Sequence, residues 1–308
     1  MRKVNCLGLP NCLLLSNGTV EVVVTTDVGP RVARYNFAGS ENVLGECPEE
    51  ALATEWGEWK PWGGHRLWTA PEAAPRSYAP DNDPVEAEPL GGLGVRLVPP
   101  VEGRTGMQKE LSVALDAGGS GVTLAHRLTN RGAWRVEVSA WALTIMRGGG
   151  EVFIPQEPYG PHPQNLLPAR PLVLWPYTDM TDPRLRFGRR LVRVRTDAAR
   201  AEPQKIGVAN KQGWAAYLIG RTLFVKRFGH EEGAPYPDLG CNNEVFTAGS
   251  FIELESLSKL VGLEPGESVE HVERWSLYED FAPGDAEEDI DAGIRALLGQ
   301  GGGEARSV

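Results

Sequence analysis

Strand-length runs of alternating apolar and polar residues recur along almost the whole chain, separated by glycine and proline, and helical spacing occurs in one segment only. A chain with period two and frequent turns buries its apolar faces by pairing strands and stacking the resulting sheets. The first unit is residues 13–24, two β-rich runs on either side of Asn17-Gly18, a dipeptide that strongly favours a tight hairpin. Asp27-Val28-Gly29-Pro30 turns the chain into another alternating run, residues 31–37. Further strands are expected at residues 94–98, 108–115, 121–128, 134–146, 191–196, 213–219, 222–228, 251–256 and 269–277. Residues 55–92 and 155–188 break the pattern with tryptophan, glycine, proline and acidic residues, and connections that long in a compact domain are commonly functional. Residues 285–298 carry acidic residues in their first turn and Ile290, Ile294, Leu297 and Leu298 at helical spacing, the pattern of one amphipathic helix.

These elements predict an all-β chain, a large two-sheet antiparallel sandwich with a short C-terminal helix, forming a single domain over residues 1–299. Residues 300–308, rich in glycine, are expected to be a flexible tail. The 37 glycines and 24 prolines among 308 residues lack a repeating triplet, which excludes collagen, and their density excludes a helical bundle. A formal net charge of −10 argues against duplex nucleic acid and anionic membranes as partners. Cys6, Cys12, Cys47 and Cys241 form no CxxC pair, so neither a cysteine metal site nor a disulfide framework is expected. The amino-terminal stretch is interrupted by Asn5, Pro10 and Asn11 and lacks a small-residue cleavage site, so a cytoplasmic chain, monomeric or homodimeric, is expected.

No nucleotide-binding loop, dinucleotide fingerprint, nucleophile elbow or zincin motif occurs. The chemistry concentrates in two places. In Trp62-Gly63-Gly64-His65-Arg66-Leu67-Trp68-Thr69-Ala70-Pro71-Glu72, a titratable base, a guanidinium, two indoles and a carboxylate share one glycine-hinged segment. Arginine offers a planar fork of donors to oxygens, and an indole face suits the apolar side of a sugar ring. In residues 249–257, period two puts Phe251, Glu253 and Glu255 on one face and Ile252 and Leu254 on the other. Two carboxylates so placed repel, which raises one of them toward the range useful for acid–base chemistry. His126 and His271 fall in strand patterns as surface or cross-strand polar partners, and His162 and His230 fall in loops.

Three stretches resemble the galactose mutarotase-like superfamily of aldose 1-epimerases and related sugar-binding proteins. They are the opening strands with Asp27-Val28-Gly29-Pro30-Arg31-Val32 and Phe37-Ala38-Gly39-Ser40-Glu41-Asn42-Val43-Leu44, Leu128-Thr129-Asn130 leading into the long strand to Met146, and Phe251-Ile252-Glu253-Leu254-Glu255 followed by Leu263-Glu264-Pro265-Gly266-Glu267. The resemblance implies a supersandwich, a small-molecule carbohydrate ligand and no cofactor or metal. It also implies a strand glutamate acting as base on the anomeric hydroxyl and a histidine acting as acid on the ring oxygen, which would be Glu255 and His65. Arg66, Trp68, Glu72, Asn243, Glu244, Glu253 and Lys226 would hold the sugar. The family's second histidine has no counterpart in Trp141-Ala142-Leu143-Thr144-Ile145-Met146. Two other readings stand beside the epimerase: a non-catalytic carbohydrate-binding protein, and a lyase or glycosidase on acidic sugars whose carboxylate would meet Arg66, Arg76 and Lys226.

Overall fold

The computed structural model describes residues 1–300. Two large antiparallel sheets face each other. The first runs, in spatial order, Arg2–Cys6, Leu9–Ser16, Val20–Val24, Val32–Phe37, His65–Ala70, Val136–Met146, Phe251–Leu257, Asn243–Ala248, Gln204–Val208 and Leu172–Leu174, with Val261–Leu263 pairing onto Val136–Met146. The second runs Glu86–Pro89, Gly94–Val98, Met107–Leu115, Val122–Asn130, Ser268–Tyr278, Thr222–Phe228, Trp214–Ile219, Glu151–Pro155, Leu191–Arg195 and Leu185–Phe187. This is the sandwich the period-two pattern predicts. The hairpin at Asn17-Gly18 forms, with Ser16 opposite Glu21, and Asn17 Oδ1 accepts from the backbone of Thr19 and Val20.

The inter-sheet core is built from the inward faces of both sheets, among them Val22, Tyr35, Leu254, Ile206, Leu111, Leu124, Phe224 and Trp275. Burying each such side chain contributes roughly 1.5–3 kcal/mol. The helix, Glu287–Gln300, covers the outer face of the second sheet, where Ile290 and Ile294 pack against Phe153, Leu191, Trp214 and Val225. It begins and ends about two residues later than the spacing suggests. Gln300 is its last residue, and the remainder of the expected tail lies outside the described residues. That leaves the outer face of the first sheet to whatever its loops place there.

Much of residues 55–92 is more regular than expected. Gly57–Trp59, Trp62–Gly63 and Glu86–Pro89 are short strands, and His65–Ala70 is a central strand of the first sheet. All six residues of His65–Ala70 are buried, so this strand lacks the alternation that marks a half-exposed one. Gly64 brings the chain into it. At φ +66°, a Cβ on Gly64 would lie 2.1 Å from the Val32 carbonyl oxygen, so only glycine fits. Gln204–Val208, buried at every position, is a second strand that the pattern does not reveal.

Candidate functional site

Cross-strand neighbours in a sheet project to the same side, so register decides which residues share a face. One row runs Arg66, Leu143, Glu255 and Glu244, a second Trp68, Trp141 and Leu257, and a third Ile145, Glu253, Phe246 and Lys205. All three face away from the second sheet. The intervening row, His65, Thr144, Leu254, Val245 and Ile206, faces the core, where Leu254, Val245 and Ile206 pack.

On the outer face these rows line a cleft of about 400 Å³, within the range of roughly 300–1,000 Å³ usual for small-molecule sites. Trp59, Arg66, Trp68, Tyr78, Trp141, Lys205, Phe246, Phe251 and Glu253 form it, with Glu50, Glu72 and Tyr177 at its edge. Trp68 is the hub of the aromatic wall, its ring 5.2 Å from Trp59, 4.9 Å from Tyr78 and 5.5 Å from Trp141. The Arg66 guanidinium lies 4.6 Å from the Trp68 ring and donates to Glu253 at 2.9 Å. Its Nε and Nη1 have no hydrogen-bond partner among the described residues although the residue is only 3% exposed.

Lys205 closes the floor. Its ammonium is held between the rings of Trp141 at 4.6 Å and Trp175 at 4.8 Å. Beneath it lie Glu244 Oε2 at 2.8 Å and Glu255 Oε2 at 3.1 Å. The same Glu255 oxygen accepts from Trp141 Nε1 at 2.8 Å, while Oε1 has no partner among the described residues. Glu244 and Glu255 are both 0% exposed. Burial raises both carboxyls above the ordinary glutamate range, most strongly Glu244, although Lys205 opposes the shift. Burial would lower the Lys205 ammonium, but Glu255 and Glu244 outweigh it and hold the group charged. Glu255 is therefore a covered floor residue, and a ligand in the cleft meets Lys205 and Trp141 before it.

His65 lies on the other side of the sheet, 0% exposed. The expected pairing of His65 with Glu255 across one cleft is therefore corrected. The Gly63-Gly64 kink sets the register so that Arg66 and Trp68 point into the cleft while His65 points inward. Lys226 belongs to the inter-sheet core as well, and Asn243, opposite Ser256, faces that side. The structure thus brings together Arg66, Trp68, Glu72 and Glu253, sets Glu244 and Glu255 below them, and separates His65, Lys226 and Asn243. Among the residues that line the cleft there is no histidine. His230 stacks on Tyr236 elsewhere. Sequence reasoning missed Lys205, Tyr78, Tyr177 and the cleft role of Trp141. Only the outward phase of Trp141 on its long alternating strand hinted at one of them.

The inward histidines form a network of their own. His65 Nε2 is 2.6 Å from His126 Nε2, His65 Nδ1 is 2.8 Å from Thr144 Oγ1, and His126 Nδ1 is 2.8 Å from the His271 carbonyl. A carbonyl only accepts, so His126 donates from Nδ1 and offers Nε2 as acceptor. His65 then donates from Nε2 and accepts the Thr144 hydroxyl. His271 Nε2 contacts Ser256 Oγ at 2.6 Å, and Ser256 donates onward to Glu273. Glu273 also accepts from Lys226 at 2.9 Å and Trp275 Nε1 at 2.8 Å. All three imidazoles are neutral in this scheme. Burial holds their pKa values below the ordinary histidine value, that of His271 at about 3. His126 and His271 are the cross-strand partners expected, but fully enclosed ones.

His65, His126 and Glu273 bring three ligand atoms within 4.8 Å of one another, and they do not fit a metal. Two imidazole nitrogens on a tetrahedral zinc sit roughly 3.3 Å apart, given bonds of about 2.0–2.1 Å, against 2.6 Å here. The charge of Glu273 is already balanced by Lys226, so a dication would leave net charge in a dry core.

Against solved structures, the chain aligns over 90% of its length with 98% of a galactose mutarotase-like protein from Clostridium acetobutylicum, at TM-score 0.55 and 11% identity. It aligns over 87% of its length with all of another from Lactobacillus casei, at TM-score 0.53 and 9% identity. The fold is thus that of the galactose mutarotase-like sandwich. A TPR-domain-containing protein from Parabacteroides distasonis aligns at TM-score 0.61 and 14% identity, over 88% of this chain and 47% of its own. This chain therefore spans about half the length of that protein. No protein-family model matches the chain, and no curated protein matches it in sequence. No helix among the described residues is long and apolar enough to cross a membrane.

Proposed function

We propose that this protein is a cytoplasmic carbohydrate-binding protein that holds one sugar in the cleft of its first sheet without anomerising it. The observation that carries the reading is the wall of Trp59, Trp68, Tyr78 and Trp141 around the Arg66–Glu253 pair. Flat aromatic faces take the C–H side of a pyranose, and a paired guanidinium and carboxylate bind its hydroxyls as donor and acceptor. The sugar-related names of the structural neighbours support the same ligand class. Binding is favoured over turnover because the histidine offered as acid faces the core and the glutamate offered as base is covered by Lys205 and Trp141. A lyase or glycosidase acting on acidic sugars has little support, since Arg66 is paired with Glu253 and Lys226 with Glu273, while Arg76 donates to the Pro71 carbonyl and does not line the cleft.

Calorimetry with a panel of hexoses tests the proposal, in parallel with polarimetry on freshly dissolved α-anomers. Binding that weakens at least about tenfold in Trp68→Ala, the order of an aromatic stacking contribution, with no acceleration of anomerisation, supports it. The epimerase reading draws on the raised Glu255 carboxyl and its unpartnered Oε1. Acceleration by the wild type that disappears in Glu255→Gln would put that reading in its place.

A further inference from the structure

The charges of the cleft divide into two groups. Both cations are neutralised within the protein: Arg66 by Glu253 at 2.9 Å, and Lys205 by Glu244 and Glu255 at 2.8 and 3.1 Å. Glu50 and Glu72, both exposed at the edge, have no cationic partner among the described residues. Glu72 is fixed in place because it accepts the Tyr78 hydroxyl, and Tyr78 packs on Trp59 and Trp68 at 5.6 and 4.9 Å. A carboxylate anchored beside aromatic faces attracts a cation both by Coulomb interaction and through the ring quadrupoles. The buried Nε and Nη1 of Arg66, which have no partner, are a second and separate feature. Both atoms are enclosed, with the guanidinium against the Trp59 and Trp68 rings, and because Glu253 has taken the charge, the part of Arg66 that lines the cleft suits a neutral hydroxyl oxygen. An anionic group would instead meet Glu50, Glu72 and Glu253, and among the described residues that line the cleft there is no free cation to receive it.

Building on the proposed sugar cleft, we infer that its ligand is an amino sugar, with ring hydroxyls on Arg66 and the ammonium group at Glu72 beside Tyr78 and Trp68. Sugar phosphates and uronic acids are excluded by the same residues.

Calorimetry on the full chain at near-neutral pH and low salt compares glucosamine and galactosamine with glucose and galactose, with their N-acetyl forms, and with glucose 6-phosphate and glucuronic acid. The expected result is binding of at least one amino sugar about tenfold or more tighter than its parent hexose. N-acetylation and Glu72→Gln should each remove that advantage, and the anionic sugars should bind more weakly than the parents. Hexoses that bind as tightly as the amino sugars, or anionic sugars that bind more tightly than either, would overturn the inference and leave the sugar-binding reading standing. No binding by any of these sugars would remove both.

Discussion

Lys205→Met tests how the cleft floor is held. The substitution keeps an unbranched side chain of similar length and removes the ammonium that sits between Trp141 and Trp175, 2.8 Å from Glu244 and 3.1 Å from Glu255. Both carboxylates are then buried without a cation, and breaking a buried ion pair in this way costs about 3–5 kcal/mol. Protonation limits the loss. Holding a carboxyl neutral at pH 7, when its unfolded value is about 4.3, costs about 3.7 kcal/mol, and at pH 5 only about 1 kcal/mol. The sign follows from the raised folded-state pKa. Such a group contributes stability fully below its unfolded value and loses it as the pH rises through the folded one. Urea unfolding of wild type and variant should show a deficit of roughly 4–7 kcal/mol at pH 7, for one to two carboxyls held neutral, that shrinks to about 1–2 kcal/mol at pH 5. Adding Glu244→Gln should recover part of it at pH 7. A deficit under about 1 kcal/mol at pH 7, or one equal at both values, would mean that water reaches these carboxylates and that Glu255 is not a covered floor residue.

The three inward histidines make a separate pH prediction. Their folded-state values lie below the unfolded value of about 6.5, so the stability they contribute is present above it and is lost as the pH falls. His271→Gln keeps an N–H for Ser256 and should flatten the acid limb of wild-type stability by up to about 1.4 kcal/mol per pH unit between about 6.5 and 3, read by chemical denaturation across that range. Gly64→Ala places a Cβ 2.1 Å from the Val32 carbonyl oxygen at φ +66°. It should destabilise the fold by at least about 2 kcal/mol and weaken sugar binding with it; a thermal melt and calorimetry measure the two effects.

The all-β architecture was legible because period two and turn residues are local properties, and the faces of Phe251–Leu257 followed from the same alternation. The terminal helix was legible from its apolar spacing. His65–Ala70 was not, since a strand enclosed on both faces has no alternation to display, and its histidine and arginine gave it the composition of a loop. The face of His65 was also hidden. A shift of one residue in register exchanges the two faces of a strand, and here the register depends on a left-handed glycine that meets a distant carbonyl. Lys205 was invisible for a related reason: its two glutamates come from strands far along the chain, and nothing local to Gln204–Val208 announces them.

The odd positions of His65–Ala70 belong to the interior and the even ones to the cleft, and Val136–Met146 and Phe251–Leu257 alternate in the same way with the parity reversed, their odd positions facing the cleft. Stability and recognition are thus encoded by interleaved letters of the same words. Arg66, Trp68, Trp141 or Glu253 can be exchanged for residues suited to another ligand while the neighbouring letters go on specifying the packed interior. A sandwich of this kind can diversify its ligands by rewriting every second residue in three adjoining strands, with no new loop and no new backbone.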